Sequence, residues 1–376
     1  MSRSISWAIL AAIAAAGIAS AQAAPRDQAV LELVAREIRP HLPSDGIGGA
    51  AIAVRIDGRT LFLNTGLADV AQKRPITTDS LFNLASLRKA FEATVLGQAF
   101  RRGELSFDDP VARYVSELQH GNDIRRVTLG QLATHTSGLL LPPDEPPWPT
   151  RSYTLGEFIR LVNDWKLADG REPGKQHIYT HAGYVLLQLA LERRFGMPIA
   201  ELIDRRVTRP LGLASTLLPQ RGANGRARLA RPFTERTVQG YDAEGRPIGA
   251  PGDQETFYDF PGTGQMFSSA RDLAVFLAAN VGELPIDRGL EEAMQLAQRG
   301  VFRTEPEVMQ ALAWEVIERD GVTLVDKPGG LYNASAYIGV VPREKLGLVI
   351  LINRGSQYPY EFGREFLFKL AHTRAR

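Results

Sequence analysis

Ser86 and Lys89 are residues whose types and spacing suit a chemical reaction. A serine hydroxyl is a weak nucleophile at neutral pH and needs a neighbouring group that takes its proton. Residues three apart on a helix are neighbours, so the Lys89 amine can be that base if burial lowers its pKa. This is the only Ser-x-x-Lys in the chain, and a helical pattern follows it. The pair indicates a nucleophile at a helix start, where backbone N–H groups stabilise an oxyanion.

Tyr179 is a second candidate, in a Tyr-Thr-His segment that precedes a helical pattern over residues 182–195. Cationic neighbours stabilise a phenolate, so a tyrosine near Lys89 can exchange a proton with a serine hydroxyl or a leaving nitrogen. A tyrosine in a loop more often packs with its hydroxyl on the backbone, and the sequence alone leaves that alternative open.

Lys327 is a third candidate, in a Lys-Pro-Gly-Gly run just after a strand-like pattern over residues 322–325. A lysine there can bind a substrate carboxylate and stabilise ionised Tyr179, while a glycine N–H completes an oxyanion hole with that of Ser86. A solvated charge is the alternative for Lys327. The competing Lys-x-Gly at Lys345 lies in a Pro-Arg-Glu-Lys turn and is interpreted as a solvated turn charge.

The composition excludes several other kinds of protein and site. The 376 residues include 44 Lys and Arg, 42 Asp and Glu, 44% hydrophobic residues and no Cys. A net charge near zero without long runs of one sign argues against a nucleic-acid or polybasic membrane partner, so a small-molecule partner is predicted.

His177 and His181 have the spacing to share zinc on one helix. Because Tyr179 is expected to precede the helix and no carboxylate ligand is evident, neither a metal nor another cofactor is predicted.

The elements that position these residues are strands near both ends of the chain and helices between them. Residues 49–55 and 60–63 flank an Asp-Gly turn, which predicts a hairpin. Four strand-like runs lie near the C-terminus, at residues 312–318, 322–325, 336–341 and 346–352. Helical patterns cover residues 29–38, 90–102, 155–165, 182–195 and 270–279. We predict an α/β (α+β) fold, with an antiparallel sheet from both chain termini flanked by helices and an inserted all-helical domain.

The same pattern predicts how the chain divides into domains. Residues 24–80 and 306–376 are assigned to the sheet domain. Residues 81–305 form the mainly helical domain, with the active site at the interface between the two domains. The long surface loops over residues 139–149 and 235–259 are candidate determinants of substrate specificity.

Residues 1–23 have the pattern of a secretory signal peptide. Arg3 is followed by apolar residues 7–18 and then by the small residues Ala21-Gln22-Ala23. A membrane anchor is disfavoured because the apolar run is shorter than the roughly 20 residues that a bilayer requires. The sequence predicts cleavage after Ala23 and a periplasmic location.

The three motifs in this order resemble those of the penicillin-recognising serine hydrolases. Within that family they are most similar to the class C β-lactamases and their DD-peptidase and esterase relatives. The family patterns Ser-x-x-Lys, Tyr-x-Asn and Lys-Thr-Gly match, in turn, Ser86 and Lys89, Tyr179 and His181, and Lys327, Pro328 and Gly329. Supporting stretches resemble the family over nearly the whole chain, at residues 103–105, 109–110, 132–138, 210–213, 267–273 and 337–353. The class A element Ser-Asp-Asn is absent, which favours the tyrosine-dependent branch.

The resemblance implies a β-lactamase/transpeptidase-like fold and a role for each matching residue. Ser86 would attack the lactam or ester carbonyl, and Lys89 and Tyr179 would move the proton. The N–H groups of Ser86 and Gly330 would hold the oxyanion. Lys327 would support Tyr179 and the substrate carboxylate, and water would then hydrolyse the acyl-enzyme.

Two positions depart from the family pattern. His181 replaces an asparagine, and a protonated imidazole there would repel Lys89, so we expect activity to fall as His181 titrates. Pro328 replaces the threonine whose hydroxyl helps to bind the substrate carboxylate. Proline in a sheet is confined to edges or to positions facing away from a neighbour, which a strand bordering a cleft provides. We expect this exchange to alter substrate preference more than the chemistry.

The sequence therefore predicts a periplasmic serine β-lactamase that hydrolyses the β-lactam amide through a Ser86 acyl-enzyme. An esterase or a DD-peptidase on the same scaffold is the nearest alternative, because the same residues serve all three reactions. A penicillin-binding sensor that acylates without turnover is a further alternative. The predicted partner is a small-molecule β-lactam or related acyl compound, with no nucleic acid and no membrane after signal cleavage. The resemblance favours a monomer.

Overall fold

The computed structural model describes residues 25–144, 153–221, 227–252 and 265–374. The predicted signal peptide lies outside these ranges, as do parts of both predicted specificity loops. The α-helices described are α1 (Pro25–Ile38), α2 (Arg88–Arg101), α3 (Leu129–Ala133), α4 (Leu155–Asp164), α5 (His181–Phe195), α6 (Ile199–Ile203), α7 (Phe233–Arg236), α8 (Ala270–Asn280), α9 (Arg288–Ala297) and α10 (Pro359–Arg374). Across these ranges, none of the helices combines the length and the hydropathy needed to cross a membrane.

The strands form one large antiparallel sheet and two short pairs. The strands described are β1 (Gly49–Ile56), β2 (Arg59–Asp69), β3 (Arg74–Pro75), β4 (Phe82–Asn83), β5 (Gln220–Arg221), β6 (Ala227–Arg228), β7 (Phe267–Ser268), β8 (Phe302–Glu305), β9 (Val308–Gln310), β10 (Glu315–Arg319), β11 (Val322–Leu331), β12 (Ala334–Val341) and β13 (Leu346–Ile352). The large sheet has the order β3-β2-β1-β13-β12-β11-β10-β9-β8. Strands from near both chain ends meet where β1 pairs with β13, with Ala53 opposite Val349.

The central strands are buried on both faces, which explains their nearly continuous apolar sequences. On one face, alternate residues such as Ile52 of β1 and Leu348 and Ile350 of β13 pack with α1 and α10. On the other face, Ala51 and Val349 join the core of the helical region. Because the side chains of a strand alternate between faces, covering both faces requires apolar residues at every position.

The structure confirms the predicted fold class and corrects several of its details. The C-terminal strands of the large sheet begin with β8 at Phe302, four residues before the boundary predicted at residue 306. The hairpin β8–β9 and the helices α9 and α10 were missed from the sequence. The Lys-Pro-Gly-Gly run lies inside β11 instead of after a shorter strand. Lys345 does lie at the β12–β13 turn, but its ammonium group donates to the carbonyl of Val281.

Candidate active site

The nucleophile candidate Ser86 lies on a 3-10 turn, Ala85–Leu87, that leads directly into α2. The turn is anchored to the helical region because Leu84 N–H donates to the carbonyl of Met266 at 2.8 Å. Ala85 has φ +49°, a left-handed conformation that costs an L-residue about 1–2 kcal/mol. The Asn83 side chain accepts a hydrogen bond from Ala85 N–H at 3.0 Å, which helps to hold this conformation. The packing around Ser86 therefore maintains a locally strained backbone.

Ser86 lies between the side chains of Lys89 and Tyr179. Lys89 Nζ donates to Ser86 Oγ at 3.2 Å, and Ser86 Oγ lies 2.8 Å from the Tyr179 hydroxyl oxygen. Both side chains are within hydrogen-bond distance of the Ser86 oxygen, so each can accept the Ser86 proton when it is in its deprotonated form.

Lys89 is fully buried, and its surroundings change its proton affinity. Burial lowers the pKa of Lys89 from 10.5 to about 7, because an ammonium group loses its hydration there. The Glu92 and Asp144 carboxylates raise the pKa and the Arg88 guanidinium lowers it, but burial dominates. A substantial fraction of Lys89 is therefore neutral at neutral pH.

A buried ion pair lies on the same helix as Lys89. Arg88 and Glu92 are each about 1% exposed, and Arg88 Nη2 lies 2.5 Å from the Glu92 carboxylate. The same Arg88 nitrogen donates to Gln188 Oε1 at 2.6 Å, which links α2 to α5. Burial raises the pKa of Glu92, while the charge of Arg88 favours its ionised form. The pair places a carboxylate and a guanidinium close enough to Lys89 to influence its pKa.

Tyr179 lies between two ammonium groups at the mouth of the site. Lys89 Nζ is 5.1 Å and Lys327 Nζ is 5.2 Å from the centroid of the Tyr179 ring. Tyr179 is 38% exposed, whereas Lys327 is only 4% exposed. In the described part of the chain, Lys327 has no carboxylate partner at ion-pair distance, so its charge is available to an anionic substrate group.

Strand β11 packs closely on the turn that carries Ser86. A Cβ atom added at Gly329 would lie 2.7 Å from the carbonyl oxygen of Leu84 and 3.1 Å from the backbone nitrogen of Ser86. Only glycine permits this approach. A Cβ at Gly330 would meet nothing within 4 Å, so the cleft is open at that residue.

Pro328 identifies which backbone groups of β11 face the cleft. Residues 325–331 of β11 pair with β12 without a register shift, while pairing with β10 ends at Asp326. Proline has no N–H, so Pro328 must occupy a position whose backbone points away from β12. Two residues on, Gly330 has the same orientation and directs its N–H toward the side that β10 leaves open. In this orientation Gly330 N–H can donate to an oxyanion in the cleft.

His181 is the first residue of α5, and its backbone N–H donates to Asp144 at 2.7 Å. Loss of hydration, together with the charges of Lys89 and Lys327, lowers the pKa of His181 to about 3. The imidazole is therefore neutral at neutral and mildly acidic pH. His181 therefore titrates at a pH well below the range in which Lys89 titrates.

With this geometry in place, the relationship to known proteins can be stated. The sequence model of the family described as Beta-lactamase matches residues 28–371. The chain belongs to the Beta-lactamase family. A beta-lactamase of Pseudomonas fluorescens is 27% identical over 366 residues, covering 88% of this chain and 94% of that protein.

Solved structures in the family share the fold of the chain. A class C beta-lactamase has a TM-score of 0.80 at 24% identity and covers 93% of this chain and 98% of its own. A beta-lactamase/D-alanine carboxypeptidase from Pseudomonas syringae has a TM-score of 0.78 at 23% identity, covering 91% of this chain and 98% of its own. These findings confirm the β-lactamase/transpeptidase-like fold, and the family match confirms the predicted resemblance and an enzyme of this family.

The two histidines weighed as a metal pair do not share a helix in this member of the family. Helix α5 begins at His181, so His177 lies in the preceding loop. Burial lowers the pKa of His177, and the Gln310 side chain opposes that change. No cluster of three or more His, Asp or Glu side chains suited to a metal occurs within the described ranges.

Sequence reasoning missed two residues that hold the Tyr179 segment. Asp144 is 9% exposed and accepts hydrogen bonds from Thr180 Oγ1 at 2.7 Å and from the N–H groups that begin α5. It thereby caps the helix, and this part of the predicted specificity loop is structural. The other residue is His135, which contacts the Tyr179 ring. Its only sequence signal was its place in the family-like stretch 132–138.

Proposed function

We propose that this member of the family is a serine β-lactamase that hydrolyses the β-lactam amide through an acyl-enzyme on Ser86. The observation that carries the proposal is the hydrogen-bonded contact of Ser86 with both Tyr179 and Lys89. That contact supplies a nucleophile, a proton acceptor and a base with a pKa near neutrality. The family match and the names of its relatives supply the substrate class.

In the acylation step, Ser86 Oγ bonds to the lactam carbonyl carbon and its proton passes to the Tyr179 oxygen, which acts in its phenolate form and becomes a neutral phenol. The N–H groups of Ser86 and Gly330 donate to the developing oxyanion. When the carbon–nitrogen bond breaks, Tyr179 returns the proton to the lactam nitrogen, which leaves as a neutral amine. Lys327, buried and without a carboxylate partner in the described ranges, binds the substrate carboxylate at the same time.

Deacylation reverses these roles with water as the nucleophile. A water molecule loses a proton to Tyr179 and bonds to the ester carbonyl carbon. The ester bond to Ser86 Oγ then breaks, and Ser86 recovers the proton. Each step uses side chains and backbone groups of this chain, so we propose that activity needs no metal.

The D-alanine carboxypeptidase reaction is the second candidate. One solved relative carries both activities in its name, and the two reactions share the same acylation chemistry. A DD-peptidase releases D-alanine from a peptide and deacylates slowly after a β-lactam, whereas a β-lactamase turns the β-lactam over. The rate of deacylation therefore distinguishes the two candidates.

Absorbance time-courses with a penicillin, a cephalosporin and a carbapenem test the proposal directly. We expect sustained hydrolysis of at least one β-lactam that disappears in Ser86→Ala. Dialysis against a chelator should leave the rate unchanged. One equivalent of adduct without turnover, together with D-alanine release from a D-alanyl-D-alanine peptide, would favour the second candidate. Loss of activity with the chelator that zinc restores would contradict the metal-free reaction.

The location and the substrate preference are further parts of the proposal. The sequence of residues 1–23 supports export to the periplasm, and N-terminal sequencing of the periplasmic protein should begin at Ala24.

Pro328→Thr restores the hydroxyl that the family pattern has at this position. We expect it to change the relative rates among β-lactams, and identical ratios would contradict a role for Pro328 in substrate preference.

A further inference from the structure

His135 lies beneath Tyr179 and is among the most buried polar residues described. It is 1% exposed and follows α3, with a φ of +54° in the left-handed region. The segment around it is tied down by its neighbours. Thr134 Oγ1 donates to the carbonyl of Gly130 at 2.8 Å, and Ala313 N–H donates to the carbonyl of Ala133 at 3.2 Å. The backbone of His135 is thus a fixed point beside the active site.

His135 holds the chain on both sides of Tyr179. Its carbonyl oxygen accepts from Ile178 N–H at 2.7 Å, and its Nδ1 accepts from Thr180 N–H at 3.3 Å. The imidazole also lies against the Tyr179 ring, with 4.3 Å between the ring centroids. One residue therefore restrains the backbone before Tyr179, the backbone after it and the ring itself.

The protonation state of His135 is fixed by the same contacts. Because Nδ1 accepts from Thr180 N–H, the ring hydrogen of the neutral imidazole resides on Nε2. Burial, followed by the charges of Lys327 and Lys89, lowers the pKa of His135 well below its ordinary value of 6.5. Nε2 has no hydrogen-bond partner within the described ranges. A buried donor without a partner costs about 1–3 kcal/mol, so packing alone does not explain a histidine here.

We propose that His135 is a positioning residue that fixes Tyr179 at hydrogen-bond distance from Ser86 and thereby sets the rates of both acylation and deacylation. This inference rests on the proposed function, in which Tyr179 takes the Ser86 proton. A displacement of about 1 Å at a proton-transfer site can cost roughly 100-fold in rate. Losing the restraint should therefore reduce kcat much more than it changes KM.

Two variants separate the hydrogen bond from the ring contact. His135→Asn keeps an oxygen that can accept from Thr180 N–H, and asparagine tolerates a positive φ, but the ring is lost. His135→Phe keeps an aromatic ring and loses the acceptor. His372→Leu is the matched control. His372 also has a buried Nε2 without a partner in the described ranges, and it lies on α10, across the sheet from the site.

The measurement is the rate of Ser86 acylation by a penicillin, read by intact mass, together with kcat, KM and melting temperature. We expect His135→Phe to slow acylation and deacylation by about 100-fold and His135→Asn by about 10-fold, with KM within about threefold. His372→Leu should leave the rate of acylation unchanged. Wild-type rates in folded His135→Phe, or a loss confined to KM, would overturn the proposal. If His135→Phe does not fold, His135→Asn decides, and an unchanged rate overturns the proposal.

The acylation readout keeps this inference separate from the proposed function. A wild-type protein that acylates without turnover contradicts the β-lactamase proposal, yet its acylation rate still tests His135. If penicillin does not acylate the wild type, an activated ester hydrolysed in a Ser86-dependent reaction takes its place. In either case, the Ser86-dependent rates of His135→Phe and His135→Asn, each relative to wild type, test whether His135 positions Tyr179.

Discussion

Two adjacent residues of β11, Asp326 and Lys327, carry buried charges on opposite faces of the sheet. Asp326 is fully buried beneath α10, where Arg364 donates to its carboxylate at 2.6 and 3.0 Å. Arg364 also donates to Glu315 at 2.7 Å. Lys327 is 4% exposed on the cleft side and, in the described ranges, has no carboxylate at ion-pair distance. Among the described residues, one charge is therefore neutralised by a partner within the fold and the other is not.

The difference shows how a buried charge can be assigned to structure or to function. A buried charge is costly unless it is paired, so a fold that retains an unpaired one gives up stability there. Lys89 has the same character as Lys327, because it is fully buried and hydrogen-bonds only with Ser86 among the described side chains. The following changes test this contrast in order of decreasing expected effect.

Lys89→Met should have the largest effect, because it removes the group that holds Ser86 and Tyr179 in their proton-transfer geometry. We expect kcat/KM to fall by roughly 10⁴-fold, measured with a chromogenic cephalosporin. The folded pKa of Lys89, about 7, is below its unfolded value of 10.5. Between these values the unfolded chain binds more protons, so wild-type stability relative to Lys89→Met should rise with pH. A variant less stable than wild type at pH 7 would contradict this account.

Arg364→Met should have a large effect on stability and little effect on catalysis. It leaves the Asp326 carboxylate buried without its partner, which typically costs about 3–5 kcal/mol. Thermal unfolding should show this loss, while kcat/KM of the folded protein at low temperature stays within about threefold. The double variant with Asp326→Leu removes the unpaired charge and should recover most of the stability. A large loss of kcat/KM in folded Arg364→Met would show that the two faces of β11 are coupled.

Lys327→Met should reduce activity without reducing stability. For a β-lactam with a carboxylate we expect kcat/KM to fall by roughly 100-fold, and for a neutral ester by about 10-fold, because only the former pairs with the lysine. The melting temperature should be unchanged or raised. Equal losses of kcat/KM for the two substrates would show that Lys327 acts through Tyr179 and does not bind the substrate carboxylate.

Glu92→Gln should have the smallest effect on activity, a displacement of the pH profile, although it leaves the buried Arg88 guanidinium without its carboxylate partner and should lower stability. The carboxylate of Glu92 raises the pKa of Lys89, so its loss should move the acid limb of kcat/KM from near pH 7 to lower pH. His181→Asn should leave the limb in place, since the pKa of His181 is about 3. An acid limb of kcat/KM that moves in His181→Asn and not in Glu92→Gln would instead support the expectation from the sequence that activity falls as His181 titrates.

The predictions that succeeded rest on local patterns, and those that failed depend on contacts between distant parts of the chain. Apolar periodicity was enough to place α5 and β13. Motif spacing selected Ser86, Lys89 and Lys327 as candidates, which the structure brings together around Tyr179 and whose roles stay a prediction. Helix α10 was missed because it contains Gly363, a residue that disfavours helices. A Cβ there would lie 2.2 Å from the Tyr337 ring, so the close packing of α10 on the sheet requires glycine.

The residues that hold Tyr179 in place could not be predicted from the sequence for the same reason. Asp144 and Thr180 are separated by 36 residues, and His135 and Thr180 by 45. The sequence alone does not show which polar side chain of a loop reaches back to another loop. The pKa of Lys89 likewise depends on burial that appears only once α2 and α5 have packed together.

The most direct test of the central claim is to locate the acyl group after mixing the protein with a penicillin and quenching with acid within the first turnover. Intact mass followed by peptide mapping should show one penicillin per chain, on the peptide that contains Ser86, and none in Ser86→Ala. Because Lys89 and Tyr179 both contact the Ser86 oxygen, this is the atom on which the proposed mechanism requires the covalent bond. Hydrolysis of the penicillin without any adduct on Ser86 in quenched samples, or hydrolysis that persists in Ser86→Ala, would contradict it.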